Sequence, residues 1–299
     1  MSHPLLRRTF VQLVLFLAAV ALPAFAADRS FVVTAPDGVT LAVQETGDPD
    51  GPAVILVHGL LGSRFSWDAQ WHSPALQRFR LIAFDLRGHG QSGKPDRPEM
   101  YREGRRWADD LDAVIRATRA TRPVLVGWSL GAAVITNYLA DHGDDAIAGV
   151  VYAGGVIELE AEQLVPQPSV YERMASADLR THLAGERDFI GLCFRHPPAD
   201  ETFQRLIATA AMASNVMQNA VHGMNVDADK GLRALRKPIL HIYGERDALV
   251  RPEASFARAA ALAPQSVLHL YPDAGHAPFA EDPERFNTDL VKFIEAALR

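Results

Sequence analysis

A serine between two glycines is the residue of this sequence best placed to act as a nucleophile. The segment 127–131, GWSLG, has the G-x-S-x-G pattern of a nucleophile elbow, a sharp turn that joins a strand to a helix and lifts the serine oxygen above the sheet. The two glycines leave room for the strand and the helix to approach each other. Leu130 begins the predicted helix, so its backbone N–H points to the place where an oxyanion would form. The pattern predicts Ser129 as a nucleophile of acyl transfer.

A base and an acid follow the serine in the chain, as acyl transfer requires. Asp247 and His276 each come after a predicted strand, on loops at the carboxyl ends where open α/β sheets bind ligands. We predict Asp247 as the acid and His276 as the base, because the order Ser129, acid, histidine is that of elbow-type hydrolases. Glu245 and Asp273 are rival carboxylates. Glu245 could point into the fold, and we interpret Asp273 as a turn residue.

A second oxyanion donor is predicted in the segment 58–62, HGLLG, which follows a continuous apolar run. The segment resembles the H-G-x motif that supplies such a donor, so we expect the backbone N–H of Leu60 to act together with that of Leu130. His58 precedes the nucleophile in the chain, which does not fit the triad order. We interpret it as a structural histidine that braces the loop.

Strand and helix patterns alternate along the chain. Two short β-prone runs, 31–35 and 39–45, flank the turn signal PDG and predict a hairpin. Continuous apolar runs, typical of parallel strands covered on both faces, occur at 53–57 and 81–84, and further strands are predicted at 123–126, 147–152, 238–243 and 267–271. Helical spacing occurs at 107–118, 130–140 and 283–298. The alternation predicts an α/β fold with a doubly wound, mostly parallel sheet.

The alternation breaks at 157–231, where no convincing β run occurs and helical clusters cover 170–183, 188–194 and 203–224. We interpret this segment as a helical cap inserted between a first core part, 27–156, and a second, 232–299. The cap should roof the pocket, and Met-rich surfaces adapt to varied apolar ligands. The predicted pocket residues are Trp128, Met174, Phe189 and Met217.

The first 26 residues have the pattern of a secretory signal peptide. Arg7 and Arg8 precede an apolar run over 10–22, and the segment 24–26, AFA, fits a cleavage site. The paired arginines also resemble a twin-arginine export signal. An uncleaved anchor and a buried helix are the alternatives, although the run is shorter than the roughly 20 residues of a membrane span. We expect export to the bacterial periplasm or the medium, with no stable membrane span after processing.

The composition excludes several classes of protein. The chain has 299 residues, 48% of them hydrophobic and 22% charged, which allows a core of normal size and excludes disorder. A net charge of −6 does not favour nucleic-acid binding. Cys193 is the single cysteine, so no intrachain disulfide forms, and we expect it to be a buried small hydrophobe. No H-E-x-x-H or paired Cys-His spacing occurs, so we expect no metal and no organic cofactor.

The chain is similar to members of the α/β-hydrolase superfamily, in the branch of capped esterases, non-haem haloperoxidases and epoxide-hydrolase-like proteins. The motifs that carry the resemblance are HG at 58–59, DLRGHGQS at 85–92, GWSLG at 127–131, GERD at 244–247 and GHAPF at 275–279. The resemblance runs from about residue 30 to the C-terminus and is more specific for fold than for substrate. It implies that 85–92 is a structural loop and that His89 is not catalytic. Haloalkane dehalogenases and epoxide hydrolases carry aspartate where this chain has Ser129, which disfavours their chemistry.

These observations predict a serine hydrolase that cleaves a carboxylic ester of a small, apolar substrate through an acyl-serine. The partner is a small-molecule ester or lactone. Lactone hydrolysis, C–C bond hydrolysis and cofactor-free perhydrolysis on the same three residues stay open, as does a non-catalytic receptor that uses the capped pocket.

Overall fold

An eight-stranded sheet forms the centre of the computed structural model, which describes residues 28–299. The predicted signal segment, 1–26, lies outside the described residues. The strands are β1 (Arg29–Thr34), β2 (Thr40–Gly47), β3 (Ala53–Val57), β4 (Arg80–Phe84), β5 (Val124–Trp128), β6 (Gly149–Ala153), β7 (Ile239–Gly244) and β8 (Val267–Tyr271).

The strands lie in the order β1-β2-β4-β3-β5-β6-β7-β8. β1 and β2 form the expected antiparallel hairpin, β2 is antiparallel to β4, and all other neighbours are parallel. β3, β5, β6 and β7 are buried at every residue, as expected for strands covered on both faces. The prediction of a doubly wound, mostly parallel α/β sheet is confirmed. β3 and β5 are neighbours, so the loops after them meet at one sheet edge.

Helices cover both faces of the sheet. Within the described residues they are α1 (Asp68–Trp71), α2 (Glu99–Arg102), α3 (Gly104–Thr118), α4 (Leu130–His142), α5 (Pro168–Met174), α6 (Leu179–Leu192), α7 (Asp200–Ala210), α8 (Asn215–Val221), α9 (Ala228–Arg233), α10 (Pro252–Leu262), α11 (Pro278–Glu281) and α12 (Pro283–Ala297). A 3₁₀ turn, Arg64–Trp67, precedes α1. None of the helices in this part of the chain has the length and apolarity of a membrane span.

Five helices, α5 to α9, lie between β6 and β7, where the sequence indicates a helical insertion. The helical cluster expected over 170–183 is interrupted, because Asp178 caps a new helix: its carboxylate accepts from the backbone N–H of Thr181 at 2.9 Å. α6 then continues to Leu192. α9 lies against α4, and a Cβ at Gly231 would be 2.5 Å from the carbonyl oxygen of Thr136. The predicted cap boundary at 231 therefore falls inside a helix that packs on the core.

Candidate active site

Ser129 stands in the turn between β5 and α4, with φ 51° and ψ −117°. A positive φ is unfavourable for a residue with a Cβ and costs about 1–3 kcal/mol. Backbone hydrogen bonds hold the turn: the N–H of Ser129 donates to the carbonyl of Ala153 at 3.1 Å, and its carbonyl accepts from Ala132 and Val156. None of these three backbone bonds uses the Ser129 hydroxyl.

The glycines of the elbow are required by close backbone contacts. A Cβ at Gly131 would lie 2.3 Å from the carbonyl oxygen of Val57, and a Cβ at Gly127 would lie 2.7 Å from the backbone nitrogen of Ala132. Both distances are shorter than a van der Waals contact. The close packing of α4 across the ends of β3 and β5 therefore requires glycine at both positions.

Asp247 and His276 form a buried pair. The Nδ1 of His276 lies 2.8 Å from Oδ2 of Asp247, and their side chains are 1% and 0% exposed. The other carboxylate oxygen of Asp247 accepts from the backbone N–H groups of Leu249 and Val250, at 2.8 and 2.9 Å. A carboxylate only accepts, so Nδ1 carries the ring proton and Nε2 presents its lone pair. This tautomer is the one that a general base needs.

Ser129 adjoins this pair through its neighbours in the chain. The indole N–H of Trp128 donates to the carbonyl of His276 at 2.9 Å. The backbone N–H of Ser129 donates to Ala153, and the next residue, Gly154, packs on His276. Nε2 of His276 is buried and, among the described residues, has no hydrogen-bond partner. The structure thus joins acid to base directly and places the serine beside them without an Oγ–Nε2 bond. Catalytic hydrogen bonds often tighten only when substrate binds.

Gly154 offers a test of how closely His276 must be held. Its φ is +51°, and a Cβ there would lie 2.5 Å from the carbonyl oxygen of His276 and 3.1 Å from Nδ1. We expect Gly154→Ala to displace the imidazole and to lower kcat/KM for ester hydrolysis about 100-fold. The matched control is Gly143→Ala, where φ is +74° but a Cβ would meet no atom within 4 Å. Equal kcat/KM values in the two variants would contradict this expectation.

The loop after β3 supplies the second candidate oxyanion donor. Leu60 and Leu130 line the same cleft as Ser129. Leu130 is the first residue of α4, so its N–H has no acceptor within the helix. A Cβ at Gly59 would lie 3.0 Å from the Cβ of Ser129, which shows how closely this loop passes the nucleophile. The two N–H groups are thus carried by segments that flank the serine.

His58 has the structural role that its position before the serine suggests. Its Nε2 accepts from the backbone N–H of Leu86 at 2.9 Å, so Nδ1 carries the proton and donates to the carbonyl of Gly59 at 2.7 Å. Burial lowers the pKa of His58 to about 4, which keeps the ring neutral. The ring therefore joins the loop after β3 to the segment after β4.

The segment 85–92 is held by Asp85, which pairs with Arg64 and accepts from its backbone N–H at 2.8 Å. The second carboxylate oxygen of Asp85 accepts from the backbone N–H of Gln91 at 2.8 Å. His89 packs edge-on against His58, with 5.0 Å between the ring centres, and burial lowers the pKa of His89 to about 3. These contacts fit a structural loop.

The rival carboxylates lie away from the base. Glu245 is exposed. Asp273 has a side chain that is 82% exposed and pairs with Arg195 at 3.1 Å and His196 at 3.5 Å. Neither carboxylate contacts His276, so the geometry favours Asp247 as its partner. These positions agree with the choice of Asp247, and not Glu245 or Asp273, as the acid predicted from the sequence.

A mostly apolar cleft of about 480 Å³, including its open part, adjoins Ser129. It is lined by Leu60, Ser129, Leu130, Val156, Leu159, Leu164, Tyr171, Phe189, Val221, His222, Leu249 and Val250. Tyr171 and His222 are the polar members besides the serine, and their rings meet edge to face at 4.9 Å. Burial raises the pKa of Tyr171, so its hydroxyl stays protonated near pH 7, whereas His222 is exposed to solvent.

The predicted pocket residues divide between the cleft and the packed interior. Phe189 lines the cleft as expected. Trp128 does not; it lies under His276 and faces a second cleft of about 980 Å³. Met174 and Met217 do not line it either, because they are packing residues: the backbone of Met174 contacts Gly185, and the side chain of Met217 fills the space above Gly88. Helical spacing marked them as buried without showing which side they face.

Cys193 is 1% exposed and lies at the end of α6. Burial, with the nearby charges of Asp247 and Glu281, raises the pKa of its thiol, which keeps it protonated. The cysteine is therefore a small buried side chain, as its sequence suggested.

Comparisons with known proteins agree with this architecture. The family model for the alpha/beta hydrolase fold matches residues 52–283. A crystal structure described as an aryl esterase from Burkholderia cenocepacia is 57% identical and covers 90% of this chain and 99% of that one, with a TM-score of 0.90. An esterase from Rhodococcus sp. ECU1013 is 30% identical over 90% of this chain and 99% of its own, with a TM-score of 0.81.

A curated relative adds a second activity to this group. The bifunctional esterase/perhydrolase of Acinetobacter calcoaceticus is 27% identical over 281 residues, which are 88% of this chain and 99% of that protein. A non-heme haloperoxidase of Rhodococcus erythropolis is 26% identical over 88% of this chain and 99% of its own. Fold, site geometry and relatives lead to one assignment: the chain belongs to the alpha/beta hydrolase fold family, among esterases and related hydrolases.

Proposed function

We propose that the protein is an exported serine hydrolase that cleaves carboxylic esters through an acyl-serine intermediate. The observation that carries the proposal is the buried Asp247–His276 pair beside a serine whose backbone has a positive φ. Export rests on the sequence pattern of residues 1–26.

The reaction begins when Ser129 Oγ attacks the ester carbonyl while Nε2 of His276 takes its proton. The tetrahedral oxyanion accepts hydrogen bonds from the backbone N–H groups of Leu60 and Leu130, each worth about 3 kcal/mol in the transition state. The C–O bond to the alcohol then breaks, and His276 returns the proton to the leaving oxygen. Asp247 stabilises the imidazolium throughout. Water attacks the acyl-serine by the same sequence and releases the carboxylic acid and free Ser129.

We propose a small aryl ester as the substrate. The walls of the cleft are aliphatic and aromatic, and the rings of Tyr171, Phe189 and His222 offer faces and edges for an aromatic group. The 57% identical structure described as an aryl esterase supports this class. We propose a short acyl chain, because bulky side chains such as Tyr171 and Phe189 line the cleft beside Ser129.

A graded panel of phenyl esters tests the proposal: acetate, butyrate, octanoate and laurate. We expect kcat/KM to be highest for the acetate or butyrate and to fall at least about tenfold for the laurate, because a long chain has to extend past the bulky side chains that line the cleft. Ser129→Ala, assayed in parallel, measures the background rate. A preference for the laurate, or equal turnover by Ser129→Ala, would contradict the proposal.

Perhydrolysis is the second candidate function, favoured by the esterase/perhydrolase relative. In that reaction hydrogen peroxide replaces water at the acyl-serine, and the product is a peracid. Incubation with acetic acid and hydrogen peroxide, followed by detection of peracetic acid, distinguishes it from simple hydrolysis. The same Ser129→Ala variant measures peracid formed without the enzyme.

A further inference from the structure

One carboxylate bridges the loop that carries His276 and the chain between α6 and α7. Oε1 of Glu281 accepts from the backbone N–H of Gly275 at 2.7 Å. Oε2 accepts from the backbone N–H groups of Arg195 and His196, at 2.8 and 3.2 Å. Three charge-assisted hydrogen bonds thus join the residue before the catalytic base to the inserted helices.

The bridge lies at a point of close packing. A Cβ at Gly275 would be 2.7 Å from the backbone nitrogen of Arg195 and 3.1 Å from Oε1 of Glu281, so the two chain segments touch. Cys193 is close enough for the charges of Asp247 and Glu281 to act on its thiol. The segment 193–196 therefore passes near both the acid and the bridging carboxylate.

Two further hydrogen bonds join the His276 loop to the core. The carbonyl of His276 accepts from the Trp128 indole, and the carbonyl of Ala274 accepts from the backbone N–H of Arg246 at 3.0 Å. Asp273 adds a second link to the insertion, but it is exposed to solvent, where ion pairs contribute little. Glu281 is half-buried, and burial raises its pKa while the three N–H groups oppose that rise. It is the stronger link between base and insertion.

We propose that Glu281 is a positioning residue that makes the orientation of His276 depend on the seating of the segment 193–196. The inference rests on the proposed function, in which His276 is the general base. A shift of this segment would pull on Gly275 and turn the imidazole of the next residue. The segment 193–196 and the base then move together, and the reaction is fast only when this segment is in the position seen here.

The substitution Glu281→Gln tests the role at nearly constant volume. Both oxygens of Glu281 accept from backbone N–H groups, and the amide nitrogen of glutamine cannot accept. Glutamine must therefore lose either the hydrogen bond from Gly275 or the hydrogen bonds from Arg195 and His196. We expect kcat per active serine to fall about 10- to 100-fold, with KM changed less than about threefold. Titration with a fluorophosphonate counts the active serines, so misfolded protein does not lower the measured kcat.

Two further variants complete the experiment. Asp273→Asn removes the exposed link between the same segments, and its kcat should stay within about twofold of wild type. Glu281→Asp keeps the charge, but its shorter side chain cannot reach both Gly275 and the segment 195–196. We therefore expect kcat at least about tenfold below wild type. A wild-type kcat per labelled serine in both Glu281 variants would overturn the proposal. Failure of both variants to fold would overturn it in favour of a purely structural role.

The wild-type protein, assayed in parallel, separates the two inferences. Wild type that hydrolyses phenyl acetate and reacts with the fluorophosphonate, together with unaffected Glu281 variants, would overturn the positioning role alone. Wild type that does neither would overturn the proposed function and the positioning role with it.

Discussion

Replacing Ser129 with alanine is expected to lower kcat for phenyl acetate by about a million-fold while the fold persists. The loss is large because the variant has no atom to form the acyl bond, and His276 has no hydroxyl to deprotonate. The backbone bonds of Ser129 to Ala153, Ala132 and Val156 do not use the side chain, so the elbow should keep its shape. Initial rates, with circular dichroism and a urea unfolding curve, measure both halves of this expectation.

Ser30→Ala is the control for a serine-to-alanine change, because Ser30 is exposed on the edge strand β1. It should leave kcat within about twofold of wild type. More than about one per cent of wild-type activity in Ser129→Ala would remove the serine from the reaction, since loss of an acyl-forming nucleophile costs far more.

Asp247→Asn is expected to lower kcat about ten-thousand-fold without loss of the fold. The amide oxygen of asparagine can still accept from the backbone N–H groups of Leu249 and Val250, which leaves its NH₂ group facing Nδ1 of His276. Nδ1 must then accept, so the ring proton moves to Nε2 and the base is lost. Single-turnover kinetics with phenyl acetate measure this effect on the acylation step.

Glu245→Gln serves as the control for Asp247→Asn, because it alters the rival carboxylate of the same loop. Glu245 is exposed, so kcat should stay within about twofold of wild type. A larger loss in Glu245→Gln than in Asp247→Asn would mean that the acid has been assigned to the wrong residue.

The sheet and the three candidate catalytic residues could be predicted from the sequence because local physics decides them. Ala53–Val57 is apolar at every position, and such a run suits a strand covered on both faces. The elbow glycines are required by backbone distances, such as 2.3 Å from a Cβ at Gly131 to the carbonyl of Val57. Asp247 and His276 could be assigned because each follows a strand, and carboxyl ends of parallel strands share one edge.

The pocket could be predicted only in part, because it depends on how the inserted helices face. Met174, Phe189 and Met217 are all buried apolar residues on helices, yet Phe189 alone lines the cleft. Helical spacing shows which residues share a face and not what that face contacts. The lining role of Tyr171 and the Glu281 bridge follow from chain segments that are distant in sequence. Leu249 and Val250 also line the cleft, and their position directly after Asp247 is a sequence signal that could have identified them.

Fluorophosphonate labelling followed by peptide mass mapping tests most directly whether Ser129 is the nucleophile. The serine oxygen displaces fluoride from phosphorus, and the proton passes to His276, so the adduct marks the residue that attacks. The expected result is one adduct on the peptide that contains Ser129, slowed by phenyl acetate and absent from Ser129→Ala. No adduct on folded protein, or an adduct on another residue, would contradict the assignment of this site as a serine hydrolase.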